Sequence, residues 1–154
     1  MAKIKARLQK LNIRIPKPVA PVANYQPFQT LRDQVYVSGQ ISLAPEGLIA
    51  GRVGDDLDLD TARKAAQICA INLITQFHVA CDGDLDRVLQ IIKLGGFVNA
   101  APNFMDVPQV INGASDLLVD VFGDNGRHAR SAVGVSVLPL NAAVEIDAII
   151  AIKL

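Results

Sequence analysis

One long apolar stripe at helical spacing constrains this chain most: Ala62, Ala66, Cys69, Leu73, Phe77 and Ala80 recur at steps of three and four. Side chains so spaced share one helix face, and that face has to be buried against another layer. Asp58 or Asp60 can cap the helix, because a carboxylate there accepts from the free N–H groups of the first turn. Asp82-Gly83 closes it. A second stripe, Val107, Val110, Ile111, Ala114, Leu118 and Val121, opens at Asp106, tolerates Pro108 in its first turn and ends at Gly123.

Strand signals surround the two helices. Val88 to Val98 is apolar and β-rich, and Gly95-Gly96 suggests a bulge. Val133, Val135 and Val137 alternate with Gly134 and Ser136; Val144, Ile146, Ala148, Ile150 and Ile152 alternate with Glu145 and Asp147. Two earlier strands, near Phe28 and over Val35 to Ile41, flank a turn at Arg32-Asp33, and Ala44 to Asp56 reads as loop. The order β-β-α-β-α-β-β predicts an α+β domain with two helices on one face of a mixed sheet. Taken as a hairpin with their apolar faces on one side, the last two strands oppose Val137 to Val144. Arg130 and Glu145 then share a face, roughly 20 Å apart, which calls for a site shared between chains.

The 154 residues suit one domain, read as a basic helix and Pro-rich arm over residues 1–24 and the main body over 25–154. Half the chain is apolar, yet no run approaches the roughly 20 residues of a membrane span. Net charge is zero, which argues against nucleic acid as main partner. The arm is locally basic, with Lys3, Lys5, Arg7, Lys10, Arg14 and Lys17 before the first acidic residue, Asp33. It contains no serine up to Asn24, so a short amphipathic helix bearing Ile4, Leu8 and Leu11 is favoured over a transit peptide. That helix is expected to add little to the core. Cys69 and Cys81 form no C-x-x-C pair, and reduced core thiols in a cytoplasm are expected.

No G-x-G-x-x-G, P-loop, H-E-x-x-H or G-x-S-x-G is present, so neither bound metal nor nucleotide is expected. Of the two histidines, His78 suits a surface or packing role, and His128 an exposed Gly-rich turn. Strand parity groups Arg130 with Ala132, Gly134 and Ser136, small neighbours that leave room beside the guanidinium. Such an arginine can grip a carboxylate bidentately; pairing with a surface acid is the plainer alternative. Glu145, among apolar neighbours, can acquire a raised pKa and hold or activate a water, or simply face solvent. Tyr25, Ser38, Gly39 and Asn112 are weaker candidates on spacing alone.

The stretch Arg130 to Ile149 (RSAVGVSVLPLNAAVEIDAI) closely resembles the closing segment of the Rid family, the imine deaminases also called YjgF-like or endoribonuclease L-PSP proteins. Val35 to Ile41 (VYVSGQI) resembles that family's second strand, and Phe104 to Phe122 its second helix. The resemblance implies a chorismate-mutase-like fold and a homotrimer with clefts between subunits. It also implies cofactor-free hydrolysis of 2-imino acids to 2-oxo acids and ammonia. Arg130 falls on the carboxylate-binding arginine and Glu145 on the glutamate associated with the catalytic water. Tyr25, Ser38, Gly39, Asn112 and Ala132 fall on pocket positions. Ala132 stands where cysteine is frequent, and the arm and the loop Asn99 to Asn103 depart from compact members. A non-catalytic binder of small carboxylates, an RNase and, by fold analogy alone, a chorismate mutase are the competing readings.

Overall fold

A computed structural model describes residues 2–154. The chain runs α1 (Lys3–Lys10), β1 (Phe28–Leu31), β2 (Gln34–Ile41), β3 (Leu43–Ala44), β4 (Gly47–Leu48), α2 (Leu59–Ala80), β5 (Val88–Asn99), α3 (Val107–Phe122), β6 (Ala129–Val135) and β7 (Val144–Ile152). Five strands form one mixed sheet in the order β1-β2-β7-β5-β6, with β5 and β6 parallel and the other neighbours antiparallel. This is the expected α+β, chorismate-mutase-like arrangement.

Asp58 caps α2, its Oδ1 accepting from Thr61 N–H at 2.8 Å. The α2 stripe is buried from Ala62 through Phe77, and Ala65, Ala70 and Ile74 widen it, because α2 packs on both the sheet and α3. The α3 stripe is buried in full, and Gly123 ends the helix at φ 66°. A Cβ on Gly113 would meet the carbonyl of Arg63, so this glycine sets how closely α3 approaches α2. The sheet's helix-facing side carries Val35, Val37, Ile91, Leu94, Val98, Val144, Ile146, Ala148, Ile150 and Ile152, all buried.

Four expectations about the strands fail. The last two strands are not a hairpin. β5, α3 and β6 form a β-α-β unit, which lays β6 parallel to β5 at the sheet edge, and β7 takes the other side of β5. The valines of β6 therefore face away from the helices: Val133 is 44% exposed, and Val137 lies beyond the strand. Gly95 and Gly96 stay in regular register; the irregularities of β5 fall between Val88 and Gln90 and between Ile91 and Lys93. The loop after β2 contains a small hairpin, β3–β4.

The arm helix does join the core. Ile4 and Leu8 are buried, and Asp86 accepts from the N–H groups of Lys3 and Ile4, both at 2.8 Å. Arg7 donates to the Val121 carbonyl near the end of α3 at 3.1 Å. The expectation that α1 adds little rested on its short length and thin apolar stripe, which say nothing of the acceptor waiting at Asp86.

Candidate functional site

The residues singled out in the sequence fall into two groups on opposite sides of the sheet. The first lies at the edge where β6 meets α3. Parity on β6 sets Arg130 and Ala132 opposite the valines, as expected, but it is their side and not the valines' that turns toward the helices. Arg130 Nη1 donates to Ser115 Oγ at 3.0 Å and Nη2 to the Pro108 carbonyl at 3.3 Å. None of the ion pairs among the described residues involves Arg130, so the surface-acid alternative is not what the structure contains. Pro108, Asn112 and Ser115 are four and three residues apart on α3, a spacing that aligns them along one helix face toward β6. Asn112 thereby lies on the α3 face that Pro108 and Ser115 share.

His128 joins this group, contrary to the exposed-turn expectation. Its Nδ1 is 2.6 Å from the Gly126 carbonyl and its Nε2 is 2.9 Å from Ser115 Oγ. Burial holds its pKa below the ordinary imidazole value; the Gly126 carbonyl acts in the opposite sense and Arg130 adds to the lowering. Ser115 was missed in the sequence. The available signal was its place seven residues after Pro108, on the border of the apolar stripe of α3.

The second group lies on the open face of the sheet, away from the helices. Glu145 alternates with the buried Val144 and Ile146 and is half-buried there. Its carboxyl lies over Gly39, where a Cβ would come within 2.9 Å of Cδ and closer still to Oε1. Burial, then the neighbouring Asp147, raise the Glu145 pKa above the usual carboxylate value. Asp147 repeats the arrangement one step along β7, lying over Gly95 and accepting from its N–H at 3.0 Å. Burial also raises the Asp147 pKa, while the Gly95 N–H and Lys93 oppose the shift.

Ser38, next to Gly39, donates from Oγ to the Gln26 carbonyl at 2.7 Å, tying β2 to the end of the arm. Tyr25 and Gly39 also line a cavity of about 710 Å³ beneath the Pro-rich arm; the cavity reaches past the end of β2 to Asn72, Thr75 and Gln76 of α2.

Arg130 and Glu145 do not meet within one chain. Glu145 pairs with Phe97 on β5, and Phe97 with Val133 on β6. Glu145 is thus two strand spacings, about 10 Å, from β6, and Arg130 lies three residues further along, about another 10 Å, pointing to the opposite face. The shared-face expectation from the hairpin fails, while the separation it signalled persists. Both cysteines are free and buried. Burial pushes both thiols up, Cys81 to about 11, so neither supplies a ready thiolate.

The family model described as YjgF/chorismate mutase-like, putative endoribonuclease matches residues 5–151. The chain belongs to the YjgF/L-PSP family. Protein TCP17 of Trypanosoma cruzi is 43% identical over 96% of this chain and 93% of its own. A 2-iminobutanoate/2-iminopropanoate deaminase of Dermatophagoides farinae is 26% identical over 90% of this chain and 91% of its own. Two solved structures superpose closely. Atu1372 from Agrobacterium tumefaciens, of unknown function, has a TM-score of 0.91 and 44% identity, covering 98% of this chain and 94% of that one. A putative endoribonuclease from Shewanella oneidensis has a TM-score of 0.93 and 30% identity, covering 97% and 99%. In this YjgF/L-PSP protein, no helix among the described residues is long and apolar enough to cross a membrane.

Proposed function

We propose that the protein hydrolyses reactive 2-imino acids to 2-oxo acids and ammonia, in a cleft where one chain supplies Arg130 and a neighbour supplies Glu145. The observation that carries this reading is Arg130, a partly exposed guanidinium anchored to neutral oxygens and paired with no carboxylate among the described residues. Its remaining N–H donors suit the planar carboxylate of a small substrate. A water held by Glu145 attacks the imine carbon, and the raised pKa of Glu145 suits it to accept that water's proton. The carbon–nitrogen bond breaks as the carbonyl forms, and the nitrogen leaves with the proton as ammonia. One water is consumed and no cofactor takes part. Asn112, Ala132, Tyr25, Ser38 and Gly39 shape the cleft around these two groups. The deaminase name of the Dermatophagoides relative supports this chemistry.

The open face of the sheet supports assembly. It exposes Leu31, Tyr36 and Val133 beside Ile149, with no helix over them. A closed homotrimer would cover this face and bring unlike faces of neighbouring sheets together. The two free buried thiols suit a cytoplasmic setting.

The test is ammonia release from freshly generated 2-iminobutyrate and aromatic 2-imino acids. Arg130→Lys keeps the charge but loses the fork, and kcat/KM should fall on the order of a hundredfold. Near-wild-type turnover by this variant would remove Arg130 as the anchor. Tight binding of a 2-oxo acid without ammonia release would make the protein a metabolite binder.

A further inference from the structure

Arg130 ends in a chain of hydrogen bonds that its own strand does not explain. Nη1 donates to Ser115 Oγ at 3.0 Å, Ser115 Oγ lies 2.9 Å from His128 Nε2, and His128 Nδ1 lies 2.6 Å from the Gly126 carbonyl. The carbonyl can only accept, so the ring's proton is on Nδ1 and Nε2 of the neutral ring is an acceptor. Ser115 must then donate its single proton to His128, which turns its lone pairs toward Arg130. Three elements meet in this chain: α3, the turn over Gly123–Gly126, and β6.

We propose that Ser115 and His128 are positioning residues that aim Arg130 at the substrate carboxylate, and that protonation of His128 disarms them. The proposal rests on Arg130 being the carboxylate anchor. Protonated His128 presents an N–H at Nε2, so Ser115 can no longer donate there. Its oxygen would then accept from both cations, and repulsion between the imidazolium and the guanidinium meeting at that oxygen loosens the support of Arg130. The charged groups on the elements around the ring are Arg130 on β6, Asp116 and Asp120 on α3, Asp124 and Arg127 in the preceding turn, and Lys93 on β5 opposite Ala129. Asp116 pairs with Arg63 and Asp124 with Arg127, and Arg130, joined to the ring through Ser115, is the charge that acts on its ionisation. Substrate grip should therefore weaken on the acid side, through an ionisation below that of a free imidazole.

The experiment has two arms. In the first, 15N NMR of the His128 ring at neutral pH should show the Nδ1–H tautomer, and Ser115→Ala should shift the Nε2 resonance. An Nε2–H tautomer would overturn the relay whatever the protein's activity. In the second, 2-oxobutyrate binding and the KM for 2-iminobutyrate are followed from neutral pH downward. Ser115→Ala should raise both Kd and KM on the order of tenfold, with little change in kcat. His128→Gln, which does not titrate, should abolish the acid limb, whatever its affinity at neutral pH. Unchanged affinity and acid limb in both variants, with Arg130→Ala still defective, would overturn the positioning role alone. Unchanged affinity in Arg130→Ala would overturn the anchor on which it rests.

Discussion

Glu145 and Asp147 each lie over a glycine of a neighbouring strand, Gly39 on β2 and Gly95 on β5. The missing side chains let two carboxylates lie close against the sheet, at the cost of part of their hydration. Gly39→Ala should displace the Glu145 carboxyl but leave the fold intact, since the obstructed atoms are the far end of a flexible side chain. A shift of that size should lower kcat/KM on the order of tenfold to a hundredfold, with the melting temperature nearly unchanged. Full activity in this variant would show that the carboxyl's position is unimportant. A raised pKa also has a stability consequence. It favours folding while the group is protonated, and that contribution is lost as pH rises through the folded value. Glu145→Gln removes the ionisation, so it should melt slightly above the wild type at neutral pH, by a margin that solvent screening keeps small. The margin should vanish below the ordinary glutamate pKa. A lower melting temperature at neutral pH would instead reveal a stabilising contact made by the ionised carboxyl.

Among the elements, α3 does the most positioning. It supplies Pro108 and Ser115 to Arg130, it connects β5 to β6, and it packs on α2 through Gly113. A Cβ at Gly113 would meet the Arg63 backbone, which cannot swing aside as a side chain can. Gly113→Ala should therefore cost about 1–3 kcal/mol of stability by overpacking, read from denaturant unfolding. No loss would mean that the helices part without penalty. The first turn of the arm helix is held by one side chain outside it, Asp86. Asp86→Ala removes the acceptor for Lys3 and Ile4 and should cost about 0.5–2 kcal/mol of α1 docking. Hydrogen exchange of the α1 amides should speed up while α2 stays protected; unchanged exchange would mean that Ile4, Leu8 and the Arg7–Val121 contact hold the helix without Asp86.

For the whole molecule, opposite-facing Arg130 and Glu145 lead to a testable property of the assembly. Arg130→Ala and Glu145→Ala chains, each inactive alone, should regain part of the activity when unfolded, mixed and refolded together. Some mixed interfaces then carry both native residues. No recovery from oligomers proven to be mixed would place both residues in one chain's site. The same assembly should bury Leu31, Tyr36, Val133 and Ile149, and their protection in the oligomer is the corresponding structural check.

Much of this was legible in the chain because it is local. Period decided the two long helices, period two decided β7, β-branched and aromatic residues beside the Arg32-Asp33 turn marked β2, Asp58 and Gly123 marked a start and a stop, and parity on β6 grouped Arg130 with Ala132. The segment from Arg130 to Ile149 carried the family, and Arg130 and Glu145 were visible as candidates within it. What the sequence left open was which edges pair and which side of each strand meets the helices. Alternation gives two faces but does not say which is inward when both can hold apolar residues, as β6 shows with Val133 outside and Ala132 inside. Nor could spacing bring Ser115 to His128 and Arg130, because three separate elements supply that chain. The sequence by itself determined the elements, through periodicity. Only the tertiary structure decided that β6 lies beside β5 and that Arg130 and Glu145 look to opposite sides, since β-pairing joins residues far apart in the chain and the parallel β5-α3-β6 crossover leaves β7 just one free edge of β5 to take.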